Sequence, residues 1–188
     1  MLNTLRLPLN FDPAPLQAEL GLIAADEWVA HFNKGYYEGE WSVAPFRSIG
    51  GSLKQIYPDP TKPDEFADTP LRTRCPAFGA TLAAFQCPLQ AARLLKLAAG
   101  AHIREHRDYN LAYEDGEIRL HIPILTNPSV EFVLAGETMT MQPGEVWYLN
   151  FNLPHRVANR GTTDRIHLVL DCVLNDWLKN LLVLALPQ

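Results

Sequence analysis

The sequence has little cysteine and no excess of positive charge. Its 188 residues include three scattered cysteines, Cys75, Cys87 and Cys172, and no C-x-x-C pair. This pattern favours neither a disulfide framework nor a zinc-thiolate site. We therefore expect free thiols in a reducing compartment, the cytoplasm. The net charge of −5 and the lack of a Lys/Arg stripe argue against partners such as nucleic acid or an anionic membrane.

Long apolar runs are also missing. No segment reaches the ~18 apolar residues that cross a bilayer, and the N-terminal MLNTLRLPLN lacks the apolar centre of a signal peptide. The C-terminal LKNLLVLALPQ is apolar but short, which predicts a docked helix or strand. The length and the ordinary share of hydrophobic residues, 47%, predict one soluble globular domain over residues 1–188.

The first ninety residues predict a flank rich in helices and loops. Asp12 followed by Pro13 is typical of a helix N-terminus, and apolar residues at helical spacing then predict a helix over about 13–24. Residues 50–70, with four prolines and two adjacent glycines, predict a long loop of the kind that is often functional. A further helix is predicted near residues 76–86.

After residue 90 the pattern changes to short strands. Each segment is rich in β-branched or aromatic residues, and turn sequences such as TNPS, QPGE and NRGTTD separate the segments. Closely spaced short strands predict a β-sandwich or barrel, here over about residues 90–175. The predicted strands are RLHIPIL (119–125), VEFVLAG (130–136), ETMTMQPG (137–144), EVWYLNF (145–151), HRVANRG (155–161) and DRIHLVLD (164–171).

The segment AHIREHRDYN (101–110) concentrates histidines and carboxylates. In a strand, His102, Arg104, His106 and Asp108 would share one face. An H-x-D pair on one face can offer an imidazole nitrogen and a carboxylate oxygen to the same ion. His155, near the start of a later predicted strand, is a candidate third ligand. Two histidines and one carboxylate form the facial triad of non-haem Fe(II) oxygenases.

Other interpretations of this segment exist. HIREH matches H-x-x-E-H, the inverted zinc-peptidase motif, which requires a helix. Gly100 precedes it and no apolar helical stripe runs through residues 100–110, so a strand is favoured. An isolated H-x-D is common and usually marks a surface pair. His102 is the residue most easily mistaken for a ligand, because it shares the predicted face of His106.

Two later strands combine an apolar stripe with a polar face. In DRIHLVLD, Arg165, His167 and Asp171 share a face opposite three aliphatic residues, and in RLHIPIL the polar face carries Arg119 and His121. If these faces are solvated, nothing follows for function. If they line a barrel interior, they converge on an anion, and a planar guanidinium suits a carboxylate.

Four motifs together resemble one enzyme family. GAHIREHRDYN, RLHIPILTNP, MQPGEVWYLNFNLPHRVANRG and DRIHLVLD are similar to the aspartyl/asparaginyl β-hydroxylase family of Fe(II)/2-oxoglutarate oxygenases, which includes bacterial cis-4 proline hydroxylases. The resemblance covers about residues 90–172. It implies a mainly β fold with flanking helices, a double-stranded β-helix or cupin-like jelly roll.

The resemblance also implies roles for individual residues. It assigns His106, Asp108 and His155 as iron ligands, Arg165 as the partner of the distal carboxylate of 2-oxoglutarate, and His121 as a further contact of this cosubstrate. Some members, including the animal protein-modifying hydroxylases, lack the carboxylate ligand that Asp108 provides here. The membrane anchor and helical repeats of those larger proteins are also missing, so their protein substrates are not carried over.

The resulting expectation is an Fe(II)- and 2-oxoglutarate-dependent dioxygenase that uses O2 to hydroxylate a C–H bond of a small amino-acid-like substrate. One alternative is hydroxylation of Asp or Asn side chains in peptides or proteins. Another is a non-catalytic, metal-containing, cupin-like protein that binds a ligand.

Residues for the substrate are less clearly indicated. A substrate carboxylate would need a cation other than Arg165, and the aromatic residues near the motifs could form pocket walls. Each cation could equally be a surface charge, and Trp147 a core residue. The long loop at 50–70 could close over a small substrate and exclude water. The candidates are Arg119, Arg104, Arg47, Tyr109, Trp147 and Asn150.

Overall fold

In residues 3–59 and 61–186, which a computed structural model describes, the chain forms thirteen β-strands and four α-helices. The strands are β1 (Thr4–Asn10), β2 (Val29–Ala30), β3 (Tyr37–Glu38), β4 (Trp41–Ile49), β5 (Phe66–Asp68), β6 (Leu89–Leu97), β7 (His102–His106), β8 (Glu117–Leu125), β9 (Val130–Leu134), β10 (Glu137–Met139), β11 (Glu145–Leu149), β12 (His155–Asn159) and β13 (Arg165–Val173). The helices are α1 (Pro13–Glu19), α2 (Pro70–Arg74), α3 (Pro76–Ala83) and α4 (Asp176–Leu184).

The strands form two antiparallel sheets. The larger sheet has the order β1-β11-β8-β13-β6-β4-β2, with β5 paired on β4, and the smaller has the order β10-β9-β12-β7-β3. From β6 onward the chain passes repeatedly between the sheets, so that β6, β8, β11 and β13 lie in the larger one and β7, β9, β10 and β12 in the smaller. This connectivity is that of a double-stranded β-helix, and it confirms the predicted jelly-roll fold.

The larger sheet buries both of its faces. The outer face packs on the helices, and the inner face packs against the smaller sheet. The outer core includes Leu16, Phe78, Leu82, Leu120, Leu168 and Leu178. The inner core, between the sheets, includes Val43, Leu97, Ile103, Phe132, Val157 and Val169.

Strand β13 shows how the sequence pattern produces this arrangement. Ile166, Leu168 and Leu170 belong to the outer core. The alternate residues, among them Arg165 and His167, point to the inner side and are also buried, each 2% exposed. Because side chains alternate across a strand, the apolar stripe directs the polar residues into the space between the sheets. The predicted alternation is therefore confirmed, and the polar face is interior rather than solvated.

The flank before β6 contains more sheet than the sequence analysis predicts. The predicted helices are present as α1, where the Asp12 side chain caps the backbone N–H of Ala14, and as α3. The aromatic residues, Val43 and the glycines of GYYEGEWSVAPFRS predict extended or hairpin structure, and β3 and β4 lie there, with β4 in the larger sheet. The strand that the sequence analysis does not predict is β1, which extends one edge of the larger sheet. The alternation in TLRLPLN, with Leu5 and Leu7 buried and Arg6 exposed, carried the signal for β1.

The long predicted loop is partly structured. Gly50 and Gly51 adopt the left-handed conformation at the end of β4, a 3-10 turn covers Pro63–Glu65, and β5 follows. The stretch 53–59 has no regular secondary structure. It is nevertheless anchored, because the Ile56 side chain is buried in the inner core.

The apolar C-terminal segment forms a helix. Asn175 caps α4 by accepting a hydrogen bond from the Leu178 backbone, and Leu178 and Leu182 are buried in the outer core. This decides between the two predicted alternatives, a helix or a strand. Among the residues that the structure describes, no helix has the length and apolar character required to span a membrane.

The outer core should dominate stability. Leu168 is fully buried at the centre of the larger sheet, so we expect Leu168→Ala to lower the free energy of unfolding by ~2–5 kcal/mol, through lost burial and a cavity. Val183→Ala, at a side chain that is 63% exposed, should change it by less than about 0.5 kcal/mol. Urea denaturation followed by circular dichroism measures both, and equal effects would contradict the assigned core.

Candidate metal centre and interior charges

Three predicted ligands meet at one end of the smaller sheet. His106, Asp108 and His155 each place one ligand atom so that all three atoms lie within 4.8 Å of one another. His106 ends β7 and His155 begins β12, and the two residues are direct partners in the antiparallel pairing. Asp108 follows β7 and is held by its backbone N–H, which donates to the Phe151 carbonyl at 2.9 Å. The arrangement could hold one divalent metal ion.

A β-bulge determines which histidine of HIREH faces this site. In the β7–β12 pairing, His155 is opposite His106 and Val157 is opposite Ile103. The step between these pairs is two residues on β12 but three on β7, so β7 has one extra residue. A bulge shifts the alternation of side chains. As a result Ile103 and His106 both face the interior, while His102 pairs with Glu38 outside, 3.7 Å away.

Two interpretations of the segment are therefore corrected. His102 and Arg104 do not share the face of His106, because the bulge lies between them. Arg104 forms an exposed ion pair with Glu38 at 2.5 Å. The helical H-x-x-E-H alternative is also wrong, since residues 102–106 form a strand.

Backbone carbonyls orient both ligand imidazoles. Nδ1 of His106 lies 2.8 Å from the Arg104 carbonyl, and Nδ1 of His155 lies 3.0 Å from the Leu153 carbonyl. A carbonyl only accepts, so each Nδ1 carries the proton and each Nε2 keeps a free lone pair. This is the common orientation of metal-binding histidines. Burial, followed by the nearby His106, lowers the pKa of His155 to about 4, so its ring is neutral at physiological pH.

An arginine and an aspartate extend the site into the larger sheet. Arg119 on β8 donates to Asp108 Oδ2 at 2.5 Å and, through Nε and NH2, to both oxygens of Asp171 at 2.6 and 3.1 Å. Asp171 on β13 also accepts from Arg93 on β6 at 2.8 Å. These ion pairs connect Asp108, Arg119, Asp171 and Arg93 in series. They fix the orientation of the Asp108 carboxylate and leave one of its oxygens available for a metal.

A second interior feature is the buried Arg165. Its guanidinium is 2% exposed, its NH2 lies 2.9 Å from His167 Nδ1, and its Nε has no hydrogen-bond partner in the described residues. No ion pair joins it to a carboxylate in that part of the chain. Burial lowers its pKa to about 9, so the group is still a cation at neutral pH. A buried cation without a counter-charge is suited to bind an anion.

Two histidines complete the surroundings of Arg165. Since Arg165 donates to His167 Nδ1, that nitrogen must be unprotonated. His121 Nδ1 lies 3.2 Å from the same atom and therefore carries the proton in this contact. Burial and the charge of Arg165 hold the pKa of both histidines well below its usual value. Both rings are neutral and the pair orients the guanidinium.

Aromatic rings connect the two features. Phe151 stacks on His121 at 4.8 Å between centroids and meets His155 edge-on at 4.6 Å. Phe132 lies 5.7 Å from the Arg165 guanidinium carbon. The metal ligands and the buried cation thus face a common, largely apolar interior.

The other predicted substrate residues have varied positions. Arg47 donates to Asp68 and to the carbonyls of Phe66 and Leu89, so it joins β4, β5 and β6, and its donors are engaged there. Tyr109 is 78% exposed. Trp147 packs at the inner core as the strand partner of His121, with its N–H donated to Glu145 at 2.9 Å. Asn150 is buried next to β11.

Sequence reasoning did not identify several residues in or near the site. Buried His31 stacks on Trp41 at 3.5 Å. Burial, then the charges of Arg93 and Arg119, lower its pKa to about 3. Tyr36 lies 4.8 Å from the His106 ring. The sequence contained a signal for Arg93, because a charged residue within the apolar run ARLLKLA indicates a buried charge. No sequence motif surrounds His31.

The family comparison agrees with this geometry. The family model described as aspartyl/asparaginyl beta-hydroxylase matches residues 16–174. The chain, with its jelly-roll fold and His-Asp-His cluster, therefore belongs to the aspartyl/asparaginyl β-hydroxylase family. The resemblance stated from the motifs is confirmed, and the match extends it into the flank.

A curated relative is the L-proline cis-4-hydroxylase of Rhizobium meliloti (strain 1021). It is 27% identical over 168 residues, covering 87% of this chain and 58% of the relative. The chain therefore spans little more than half the length of this relative.

Two solved structures show the same fold. A 2OG-Fe(II) oxygenase family oxidoreductase from Burkholderia pseudomallei has a TM-score of 0.53 at 20% identity, covering 91% of this chain and 85% of its own. The non-heme monooxygenase ThoJ, in its nickel complex, has a TM-score of 0.52 at 12% identity, covering 91% and 73%.

The interior ion pairs predict a pH-dependent stability. We expect Asp171→Asn to lower the free energy of unfolding at pH 7 by ~3–5 kcal/mol, because it leaves two buried arginines without their shared counter-charge. Burial raises the pKa of Asp171, but the charges of Arg119 and Arg93 more than offset this and lower it below 3.8.

Because the pKa of Asp171 is lower in the folded than in the unfolded protein, its ionised form stabilises the fold at pH values above the ordinary carboxyl pKa. This stabilisation is lost as the pH falls through the folded-state pKa. The difference between wild type and Asp171→Asn should therefore be smaller below about pH 4 than at pH 5. Urea unfolding at several pH values measures it. A difference that grows on acidification would contradict the ionised pair.

Proposed function

We propose that this protein is an Fe(II)- and 2-oxoglutarate-dependent dioxygenase that hydroxylates a C–H bond of a small amino-acid-like molecule. One observation carries the proposal. A His-Asp-His cluster with oriented imidazoles faces the same interior as the buried Arg165, for which the described residues provide no carboxylate partner.

The donor set fits ferrous iron. His106 and His155 offer imidazole nitrogens and Asp108 offers one carboxylate oxygen. Two histidines and one carboxylate on one face of a metal leave coordination positions open, as in non-haem Fe(II) oxygenases. The described cysteines are buried and free, away from this cluster, so thiolate ligation typical of structural zinc is not offered.

The buried cation fits the cosubstrate. 2-Oxoglutarate carries a 2-oxoacid group that can chelate a metal and a distal carboxylate. Arg165, held by His167, would receive the distal carboxylate through a charge-assisted hydrogen bond. The unpartnered Nε of Arg165 offers a further donor for it. His121, between Arg165 and the Phe151 ring, would line the path of the cosubstrate.

Iron, 2-oxoglutarate and O2 would together supply the oxidising chemistry, in which the cosubstrate becomes succinate and CO2 and the substrate gains a hydroxyl group. The chain's own residues hold and orient the reactants. Arg119 fixes the plane of Asp108, while Phe132 and Phe151 keep water away from the interior. The small substrate and O2 are then the expected partners.

The substrate class is supported by the comparison with the curated relative. That relative is, by its name, a hydroxylase of L-proline, so a small amino-acid-like molecule is the class of substrate that we propose. Hydroxylation of Asp or Asn in peptides is the alternative within the family, and a non-catalytic metal-binding cupin is the alternative outside it.

The metal assignment has a matched test. His106→Ala should reduce bound Fe(II), measured after anaerobic loading and desalting, from about one ion per chain to near zero. His102→Ala, four residues earlier on the outer face of β7, should retain wild-type iron. Loss of iron in the second variant alone would show that the wrong histidine has been assigned.

The cosubstrate assignment is tested on binding rather than turnover. Arg165→Ala should weaken 2-oxoglutarate binding by at least about 30-fold, since losing one partner of a buried charge pair costs ~2–5 kcal/mol. Titration of the visible charge-transfer absorption of the anaerobic Fe(II)/2-oxoglutarate complex measures this. Arg160→Ala, at a surface arginine whose side chain is 64% exposed, is the control.

Decay of that absorption on adding O2, with release of succinate, distinguishes an enzyme from a binding protein. An unchanged affinity in Arg165→Ala would remove this residue from the site. A wild-type protein that binds Fe(II) but forms no complex with 2-oxoglutarate would favour the non-catalytic alternative.

A further inference from the structure

Two of the three cysteines form a pair on the outer side of the larger sheet. Cys172 lies near the end of β13, and Cys87 lies two residues before the start of the neighbouring strand β6. Both side chains belong to the outer core, and the Cys172 thiol donates a hydrogen bond to the Cys87 sulfur. The third cysteine, Cys75, lies between α2 and α3. The pair shares no residue with the candidate metal centre.

Backbone contacts hold the two thiols side by side. The Val173 N–H donates to the Pro88 carbonyl at 3.0 Å, and the Asn175 side chain donates to the Gln86 carbonyl at 2.8 Å. These two hydrogen bonds flank Cys87 and keep it against the end of β13. Cys87 itself belongs to the connection between α3 and β6, so strand pairing does not fix its backbone. A small adjustment there can bring the two sulfurs to bonding geometry, which a disulfide requires.

The two thiols differ in acidity. The hydrogen bond from Cys172 lowers the pKa of the Cys87 thiol, and this effect exceeds the opposing effect of burial. Burial, followed by the hydrogen bond with Cys87, raises the pKa of Cys172 well above its usual value. The thiolate is the nucleophilic form of cysteine. Cys87 is therefore the more reactive member of the pair, and Cys172 is its protonated partner.

A surface cavity gives access to Cys87. Its volume is about 380 Å³, and its walls include Arg47, Arg72 and Cys87. Both arginines pair with the single carboxylate of Asp68, so the guanidinium groups of the wall carry more charge than this partner neutralises. Positive surroundings favour a thiolate over a thiol. Cys87 keeps 7% of its surface exposed, whereas the other two cysteines are 0% exposed, so a small oxidant reaches Cys87 first.

We propose that Cys87 and Cys172 form a peroxide-reactive pair that closes to a reversible disulfide. The Cys87 thiolate attacks one oxygen of hydrogen peroxide, the O–O bond breaks, and the departing hydroxide takes a proton from solvent. The Cys172 sulfur then attacks the sulfenic acid of Cys87, the S–O bond breaks, and the departing hydroxide takes the Cys172 proton. Two thiols are thereby oxidised to one disulfide, and the peroxide is reduced to two molecules of water.

The test measures thiol chemistry and needs neither cosubstrate nor turnover, so its outcome is independent of the proposed oxygenase function. The 188-residue chain is treated with a chelator, so that iron does not convert peroxide to radicals, and is then exposed to hydrogen peroxide at pH 7. The thiols that remain are counted after denaturation. We expect the count to fall from three to one and the mass to fall by two hydrogen atoms. Dithiothreitol should restore all three thiols.

Variants assign the role of each cysteine. Cys172→Ala should accumulate a sulfenic acid on Cys87, trapped with dimedone, because no second thiol is there to displace it. Cys87→Ala should keep both of its thiols, and its thiol loss should be at least about tenfold slower than that of Cys172→Ala. Cys75→Ala is the matched control. It should form the disulfide as the wild type does, and peptide mapping of this variant should link Cys87 to Cys172.

Four results would overturn the proposal. They are an unchanged thiol count under conditions that fully oxidise free cysteine, a disulfide that includes Cys75, equal rates of thiol loss in Cys172→Ala and Cys87→Ala, and oxidation of Cys87 in the wild type without a disulfide. Circular dichroism shows whether each variant is folded. If an alanine variant does not fold, fragmentation of the linked peptides from the wild type still identifies which cysteines are joined.

Discussion

Buried positive charge is the constraint around which the interior is organised. Arg93, Arg119 and Arg165 all project from the inner face of the larger sheet into an apolar space, where an uncompensated cation is costly. Asp171 forms ion pairs with Arg93 and Arg119, and Asp108 forms a further ion pair with Arg119. In the described part of the chain, Arg165 forms no ion pair and contacts the neutral His167. The proposed function assigns an anion, the distal carboxylate of 2-oxoglutarate, to this cation.

The jelly roll makes this arrangement possible by giving the larger sheet two buried faces. Its outer face is mainly aliphatic and packs on the helices, so it supplies stability and none of the candidate metal ligands. The inner face can then carry arginines and histidines at alternate positions. The smaller sheet places the candidate metal ligands opposite them, at strand ends where two residues of neighbouring strands meet. Positions on paired strands are well defined, which suits the oxygenase site that we propose.

The ion-pair chain couples the two sheets. Asp108 follows a strand of the smaller sheet, whereas Arg119, Asp171 and Arg93 belong to the larger one. A change at Arg93 is thus connected through two carboxylates to a candidate metal ligand. At the other end of this series of ion pairs, the backbone carbonyl of Ile56 accepts a hydrogen bond from Arg93. The position of the loop at Ile56 and the orientation of Asp108 therefore depend on a single hydrogen-bonded network.

The sequence by itself determined the fold class and much of the site. Alternation in RLHIPIL and DRIHLVLD separated the two faces of the central strands, and H-x-D with a distant histidine indicated the metal cluster. These signals are local, since alternation depends only on the period of a strand. Tertiary structure alone decided that His102 faces outward, because a bulge needs a partner strand to be defined. It also decided that Arg119 forms its ion pair with Asp171 and that His31 reaches the interior. Contacts between residues far apart in the sequence, such as Arg93 and Asp171 at 78 positions, leave no periodic pattern in the sequence, so only the folded molecule reveals them.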